Sequence, residues 1–292
     1  MDFVKQLTEV LRHSVKWTKQ PFTTLYYTAV AAAVIGLLFL VAGIIMLVLG
    51  LIGFAVPQLA NEIKTTIIGL ALASIGLTGF LLFIFIGSIL LSGANALIYS
   101  DGLKKQNLKV RELKIIDFVK FFLLNIYIAI AAIFSIYWPQ PLFVLFGTGI
   151  LTYLGFISGG WLLGTIPLFF FVISAGFYLL NIIYQQTRLM LTPFYFLTKT
   201  NSITTAASMS YLKTNHRAIS LLALTILSSL IISLTIQIAV GVIQFPFNII
   251  SAYLPIVNVI TLLIWAAGSI VSMFAVNFAL TKIFYLTEKD LI

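Results

Sequence analysis

Cysteine is missing altogether and charge is scarce, with 9% of the 292 residues being Asp, Glu, Lys or Arg. Without thiols there are no disulfides, thiolate nucleophiles, thiolate metal sites or palmitoylation to consider. A soluble domain covers its surface with about 25% charged residues. A chain this poor in charge, 61% hydrophobic and with a mean hydropathy of +1.12, reads as an integral membrane protein. The eight acidic residues are Asp2, Glu9, Glu62, Asp101, Glu112, Asp117, Glu288 and Asp290, and they form neither a paired acid set for hydrolysis nor an Asp-rich magnesium motif. Neither His13 nor His216 has a second histidine at metal-ligand spacing. A Gly-rich phosphate loop ending in Lys-Ser/Thr is also absent. These absences lead to the expectation of a non-enzymatic protein with no cofactor and no metal.

Long uncharged runs are what the chain has instead: residues 20–61, 65–100, 121–187 and 218–281 contain no Asp, Glu, Lys or Arg. A helix needs about 20 apolar residues to cross the roughly 30 Å hydrocarbon core, so the first two runs hold one crossing each and the last two are long enough for a pair. The charged stretches between them, 1–19, 101–120 and 188–217, are too short for a globular domain. The N-terminus lacks a signal-peptide layout, so the first span is expected to be an uncleaved anchor. Sixteen of the seventeen Lys and Arg residues lie in the N-terminal arm, 104–120, 188–217 or the C-terminal end. An even number of crossings puts all four segments on one side, and positive-inside bias makes that side the cytoplasm. The net charge of +9 therefore points to membrane lipids with anionic headgroups rather than to nucleic acid.

The expected architecture is an all-α polytopic membrane helix bundle of six transmembrane helices plus amphipathic interfacial helices, in one integral membrane domain over 1–292. Spans are expected near 25–53 (ended by Pro57), 65–98, 119–137, 161–186, 218–240 and 257–282. Trp138 and Trp161 are expected at one outer interface. The Gly-interrupted segment 142–160 is expected to be re-entrant or confined to the outer leaflet, because a seventh crossing would turn the basic 188–217 segment outward. An irregular outer segment containing Gly241, Pro246 and Pro255 is expected between the last two spans. Apolar residues at helical spacing predict an interfacial helix over 3–15, a weaker one over 107–119, and a third over 202–213 capped by Asn201 or Ser202. The chain thus reads as three units, each an interfacial helix followed by a transmembrane hairpin, at a spacing of about 100 residues.

Small residues at regular steps mark helix contacts, since close backbone approach supplies much of the association between lipid-embedded helices. Gly36, Gly43 and Gly50 form such a stripe in the first span, and Gly268, Ser272 and Ala275 form one in the last. Polar interest concentrates in 185–217, where Arg188, Ser210, Lys213, Asn215, His216 and Arg217 are candidate contacts to lipid headgroups or to a protein partner in the membrane. Arg188 and Pro193, then Ala206, Ser210, Lys213 and Asn215 leading into a hydrophobic helix, resemble a group of six-span prokaryotic membrane protein families. That group includes the membrane domain found beside some glycerophosphodiester phosphodiesterases and its stand-alone relatives. Trp17, Lys19 and Pro21 before the first span, the Gly102 to Leu113 loop and the closing Phe284-Tyr285 extend the likeness along the chain. It implies a multi-pass protein of the cell membrane with both termini cytoplasmic; no phosphodiesterase domain stands in these 292 residues, so that activity is not implied. The functional expectation is an accessory or scaffold role with a basic cytoplasmic face, the alternative being a transporter or channel component without intramembrane charge coupling.

Overall fold

A computed structural model describes residues 2–17, 24–60, 63–251, 254 and 257–290. Among these there are nine helices and no strand: α1 (Phe3–Trp17), α2 (Thr24–Ala60), α3 (Ile63–Lys104), α4 (Ile115–Ile133), α5 (Gln140–Leu189), α6 (Thr192–Thr198), α7 (Ile203–Lys213), α8 (Ala218–Ser251) and α9 (Val257–Glu288). Seven helical stretches are long and apolar enough to cross a membrane: those in α2, α3, α4, α8 and α9, and two in α5. Large apolar side chains such as Leu38, Leu81, Ile157, Phe169 and Leu180 lie exposed along them, as suits surfaces that face lipid. The protein is an all-α polytopic membrane protein.

Helices run further than the sequence reading places them, because an unpaired backbone group in hydrocarbon costs several kcal/mol and a continued helix satisfies it. Thus α2 continues through Pro57 to Ala60, and α8 continues through Gly241 and Pro246 to Ser251, where an irregular outer segment was expected. Pro255, the 61–62 link, Lys19 and Pro21 lie outside the described residues, as do the side chains of Trp17 and Trp161.

The largest departure is in 142–160, which is helical rather than irregular and belongs to the 50-residue α5. A straight helix would put residues 149 and 171 about 33 Å apart. Instead, a Cβ placed at Gly149 would lie 3.3 Å from the Phe171 ring, and one at Gly164 would run into Phe156. The chain therefore reverses between Phe156 and Gly164, and α5 is a hairpin with limbs 140–158 and 164–189. Glycine permits that apposition: bulkier residues at 149 and 164 would hold the limbs apart.

The expected helix over 107–119 is also corrected. Residues 108–114 are non-helical, and α4 starts at Ile115 because Asp117 in its first turn accepts the Lys114 N–H at 2.9 Å and the Arg111 guanidinium at 3.2 Å. That carboxylate satisfies an otherwise unpaired donor near the helix start and complements the helix dipole. The helix expected over 202–213 forms, with Ser202 as its N-cap receiving the Thr205 N–H at 3.4 Å. Helix α6 was not anticipated. Its Pro193 stands in the first turn, where no intrahelical N–H bond is lost. With α6 set apart, the elements in chain order fall into three sets of one shorter helix followed by two longer helical stretches: α1 with α2–α3, α4 with the limbs of α5, and α7 with α8–α9.

The described chain divides into two compact units. One comprises residues 11–122 and 230–281. Here α2 and α3 pack antiparallel along the predicted glycine stripe. A Cβ at Gly36 would lie 3.0 Å from the Gly87 carbonyl, one at Gly43 3.1 Å from Ile84, and one at Gly50 3.3 Å from the Leu77 nitrogen. Ala29 and Ala33 of α2, Ala94, Leu97 and Ile98 of α3, and Phe274 and Phe278 of α9 form its buried core. The second small-residue stripe is also a contact: Gly268 lies against Val240, Ser272 pairs with Ser233 at 3.1 Å, and Ala275 is buried. Asn277 donates to Asn95 at 2.7 Å and accepts from Tyr99 at 3.1 Å, so these polar groups satisfy one another within the unit.

Candidate functional site

The other unit comprises residues 1–10, 123–229 and 282–292 and holds the basic segment singled out in the sequence. Its buried polar centre is Arg188, at the end of the second limb of α5. The guanidinium lies 3.4 Å over the Tyr211 ring and 5.5 Å from that of Tyr184, and it donates to the Tyr211 carbonyl at 2.6 Å. Burial raises the Tyr211 pKa, and burial together with the hydroxyl–hydroxyl hydrogen bond shared with Tyr127 at 3.2 Å pushes Tyr137, stacked on Tyr211 at 4.5 Å, up to about 12. These phenols stay neutral at physiological pH, so the ring faces rather than phenolates offset the buried cation.

Ser210 and Thr214 donate to the Arg188 carbonyl at 2.7 and 3.1 Å, tying α7 to the end of α5. Arg188 and Ser210 are thus structural, and the expectation that they contact headgroups is corrected: both are buried and committed to the α5–α7 joint. Gln185 and Asn181, one and two turns nearer the hairpin bend than Arg188, meet the segment after α4. Asn181 donates to Ser135 at 2.7 Å, Gln185 to the Trp138 carbonyl at 3.5 Å, and Tyr178 to the Ile133 carbonyl. Trp138 therefore stands beside the Arg188 end of α5, edge-on to Tyr184 at 6.3 Å.

Beyond this joint, α6, α7 and the end of α9 enclose an open cleft of about 550 Å³ lined by Tyr195, Lys199, Met209, Leu212, Lys213 and Glu288. The aromatic packing of α6 on α9 fixes one wall, with Phe194 stacked on Phe284 at 5.1 Å and Tyr195 edge-on at 5.2 Å. Tyr195 donates to Glu288 Oε1 at 2.6 Å, and Lys199 Nζ stands 3.6 Å from Oε2. Lys213 and Arg217 both pair with Asp290, at 2.8 and 2.9 Å, and together they hold its carboxyl below the ordinary value of 3.8. Asn215 and His216 are exposed on the turn between α7 and α8.

Of the six residues proposed from sequence, Lys213 lines the cleft, Arg217 braces it through Asp290, Asn215 and His216 flank α8, and Arg188 and Ser210 hold α7 in place. Sequence reasoning missed α6 and the acidic partners. The one available signal was that Glu288 and Asp290 are the only acids after Asp117, which makes them the available partners for the basic 199–217 segment. Residues 3–10 of α1 belong to the same unit, where Glu9 meets Lys282 at 2.6 Å. In α1, Gln6, Val10 and Ser14 are buried, while the apolar Val4 and Val15 are exposed. No family model, no curated protein and no solved structure matches this chain.

Proposed function

We propose that this chain is a non-enzymatic, multi-pass protein of a prokaryotic cytoplasmic membrane, in an accessory or scaffold role, whose basic helix ends engage phospholipid headgroups. The observation that carries this reading is the cleft of α6, α7 and α9, where Lys199 and Lys213 stand beside exposed Leu212 and Met209. Basic residues at an anionic leaflet gain about 1 kcal/mol each. Apolar side chains next to them suit the boundary between headgroup and acyl chain. The likeness to the membrane families found beside some glycerophosphodiester phosphodiesterases belongs to the same proposal and adds a membrane role without hydrolase chemistry.

The topology we infer has six crossings, made by α2, α3, both limbs of α5, α8 and α9, with both termini cytoplasmic. Helix α4 is apolar enough to cross, but its end meets the last third of α5: Ala131 clusters with Leu189 and Ala207, and the following turn meets Asn181 and Gln185. The chain then starts the hairpin from the Arg188 end. A crossing by α4 would put 104–120, with six basic residues, and 188–217, with four, on opposite sides of the membrane. Positive-inside bias opposes that. In this reading α4 is the second interfacial helix, sunk into the leaflet.

Thermal unfolding of delipidated protein in neutral detergent tests the headgroup claim. Added phospholipid is expected to raise the midpoint, because a ligand that binds only the folded state stabilises it. Diacylglycerol, with the same chains and no phosphate, is expected to leave it unchanged; equal shifts from both would contradict the reading.

A further inference from the structure

The cleft carries both signs of charge, and that narrows its ligand. We propose that it binds the zwitterionic headgroup of an aminophospholipid, with the phosphate against Lys199 and Lys213, the ammonium against Glu288, and an acyl chain along Met209 and Leu212. The proposal rests on the headgroup reading above and specifies which headgroup.

A purely anionic headgroup would meet the lysines but would also face Glu288. That carboxylate lines the cleft with 23% of its side chain exposed. Its Oε1 is held by Tyr195 at 2.6 Å, while among the described residues Oε2 has Lys199 at 3.6 Å, longer than a charge-assisted hydrogen bond. Oε2 is therefore positioned to accept from a primary ammonium. The lysines are equally available for a phosphate. Lys199 is 52% exposed, and Lys213, whose ammonium has three donors, uses one on Asp290 at 2.8 Å. Asp290 also receives Arg217, so the Lys213 pairing to it need not break when a phosphate approaches. An ammonium two carbons beyond a phosphate ester matches this pairing of charges, in which Glu288 is less exposed than Lys199 or Lys213. Leu212, 75% exposed, and Met209 continue the wall without polar groups, which suits a ligand that carries acyl chains over free phosphoethanolamine. A quaternary choline offers no N–H to Glu288, so the site distinguishes a primary amine from a methylated one.

Native mass spectrometry of the full chain released from nanodiscs of equal phosphatidylethanolamine and phosphatidylglycerol reads the preference directly. We expect the wild-type protein to retain phosphatidylethanolamine over phosphatidylglycerol by about fivefold, the size of one exposed ion pair. Glu288→Gln is expected to bring that ratio close to one, and Lys199→Ala with Lys213→Ala to reduce retention of both lipids. A wild-type ratio at or below one overturns the proposal whether or not any variant folds. Should that ratio occur while the lysine pair still governs retention, the general headgroup reading survives; retention indifferent to the lysines removes both.

Discussion

Gly76 sits where α3 has no room for a side chain: a Cβ there would run into the Gly50 backbone and come within 2.7 Å of the Met46 carbonyl. Backbone cannot step aside as a side chain can, so Gly76→Leu is expected to cost about 1–3 kcal/mol or more and to lower the unfolding midpoint in detergent. Gly43 faces the movable Ile84 side chain, and Gly43→Leu should cost less. Gly147, with nothing within 4 Å, is the control, and Gly147→Leu should leave the midpoint unchanged; equal midpoints for all three variants would contradict close packing at the stripe. Arg188 makes a different kind of contact. Its planar fork both stacks on Tyr211 and bonds that residue's carbonyl, which an ammonium cannot reproduce. Arg188→Lys is therefore expected to lose about 1–3 kcal/mol in spite of keeping its charge, and wild-type stability in that variant would show that charge alone matters. The Asp290 pairings carry a pH signature. Its folded pKa lies below the ordinary 3.8, so the stabilisation is complete above that value and is lost as pH falls through the folded value. Hydrogen exchange over 213–217 should rise in Asp290→Asn at neutral pH, and in the wild-type protein only in the acid range below about 3.8.

At the scale of elements, hydropathy made the class legible and locates six of the seven apolar stretches to within a few turns. The capped α7 was readable because Ser202 precedes a helical run and its hydroxyl has a local N–H to accept. Both glycine and small-residue stripes were readable for a similar reason, since spacing along one helix defines a face. What could not be read is what depends on a partner element. The α5 hairpin looks in sequence like a broken segment followed by a span, because Gly149 and Gly164 signal flexibility unless Phe171 and Phe156 are known to fill the space beside them. Likewise Arg188 and Ser210 look like surface polar residues, although the aromatic rings and carbonyl that bury them come from 23 and 22 residues away. Helix α6 is hidden by Pro193, which breaks a helix interior but is well accommodated in a first turn. The hairpin has its own test. Gly164→Phe should force the limbs of α5 apart and lower the unfolding midpoint, whereas a straight α5 would leave room for the ring and predict no change.

Across the whole molecule, the uncharged runs 20–61, 65–100, 121–187 and 218–281 supply the crossings, and charge gathers at helix ends and in the segments between them. Chemistry is thereby displaced from the hydrocarbon to the helix ends, where Lys199, Lys213 and Glu288 stand in an open cleft. Everything functional in this picture depends on those ends facing the cytoplasmic leaflet, and hence on α4 not crossing. The lack of native cysteine makes the decisive measurement simple, since single cysteines can be introduced without background. Gln140→Cys, Ser158→Cys and Thr200→Cys, all at exposed or half-exposed positions, would be treated with a membrane-impermeant maleimide outside intact cells. The account predicts labelling at position 158 alone, with 140 and 200 reacting only after the membrane is opened; labelling of 140 and 200 from outside, with 158 protected, would contradict it.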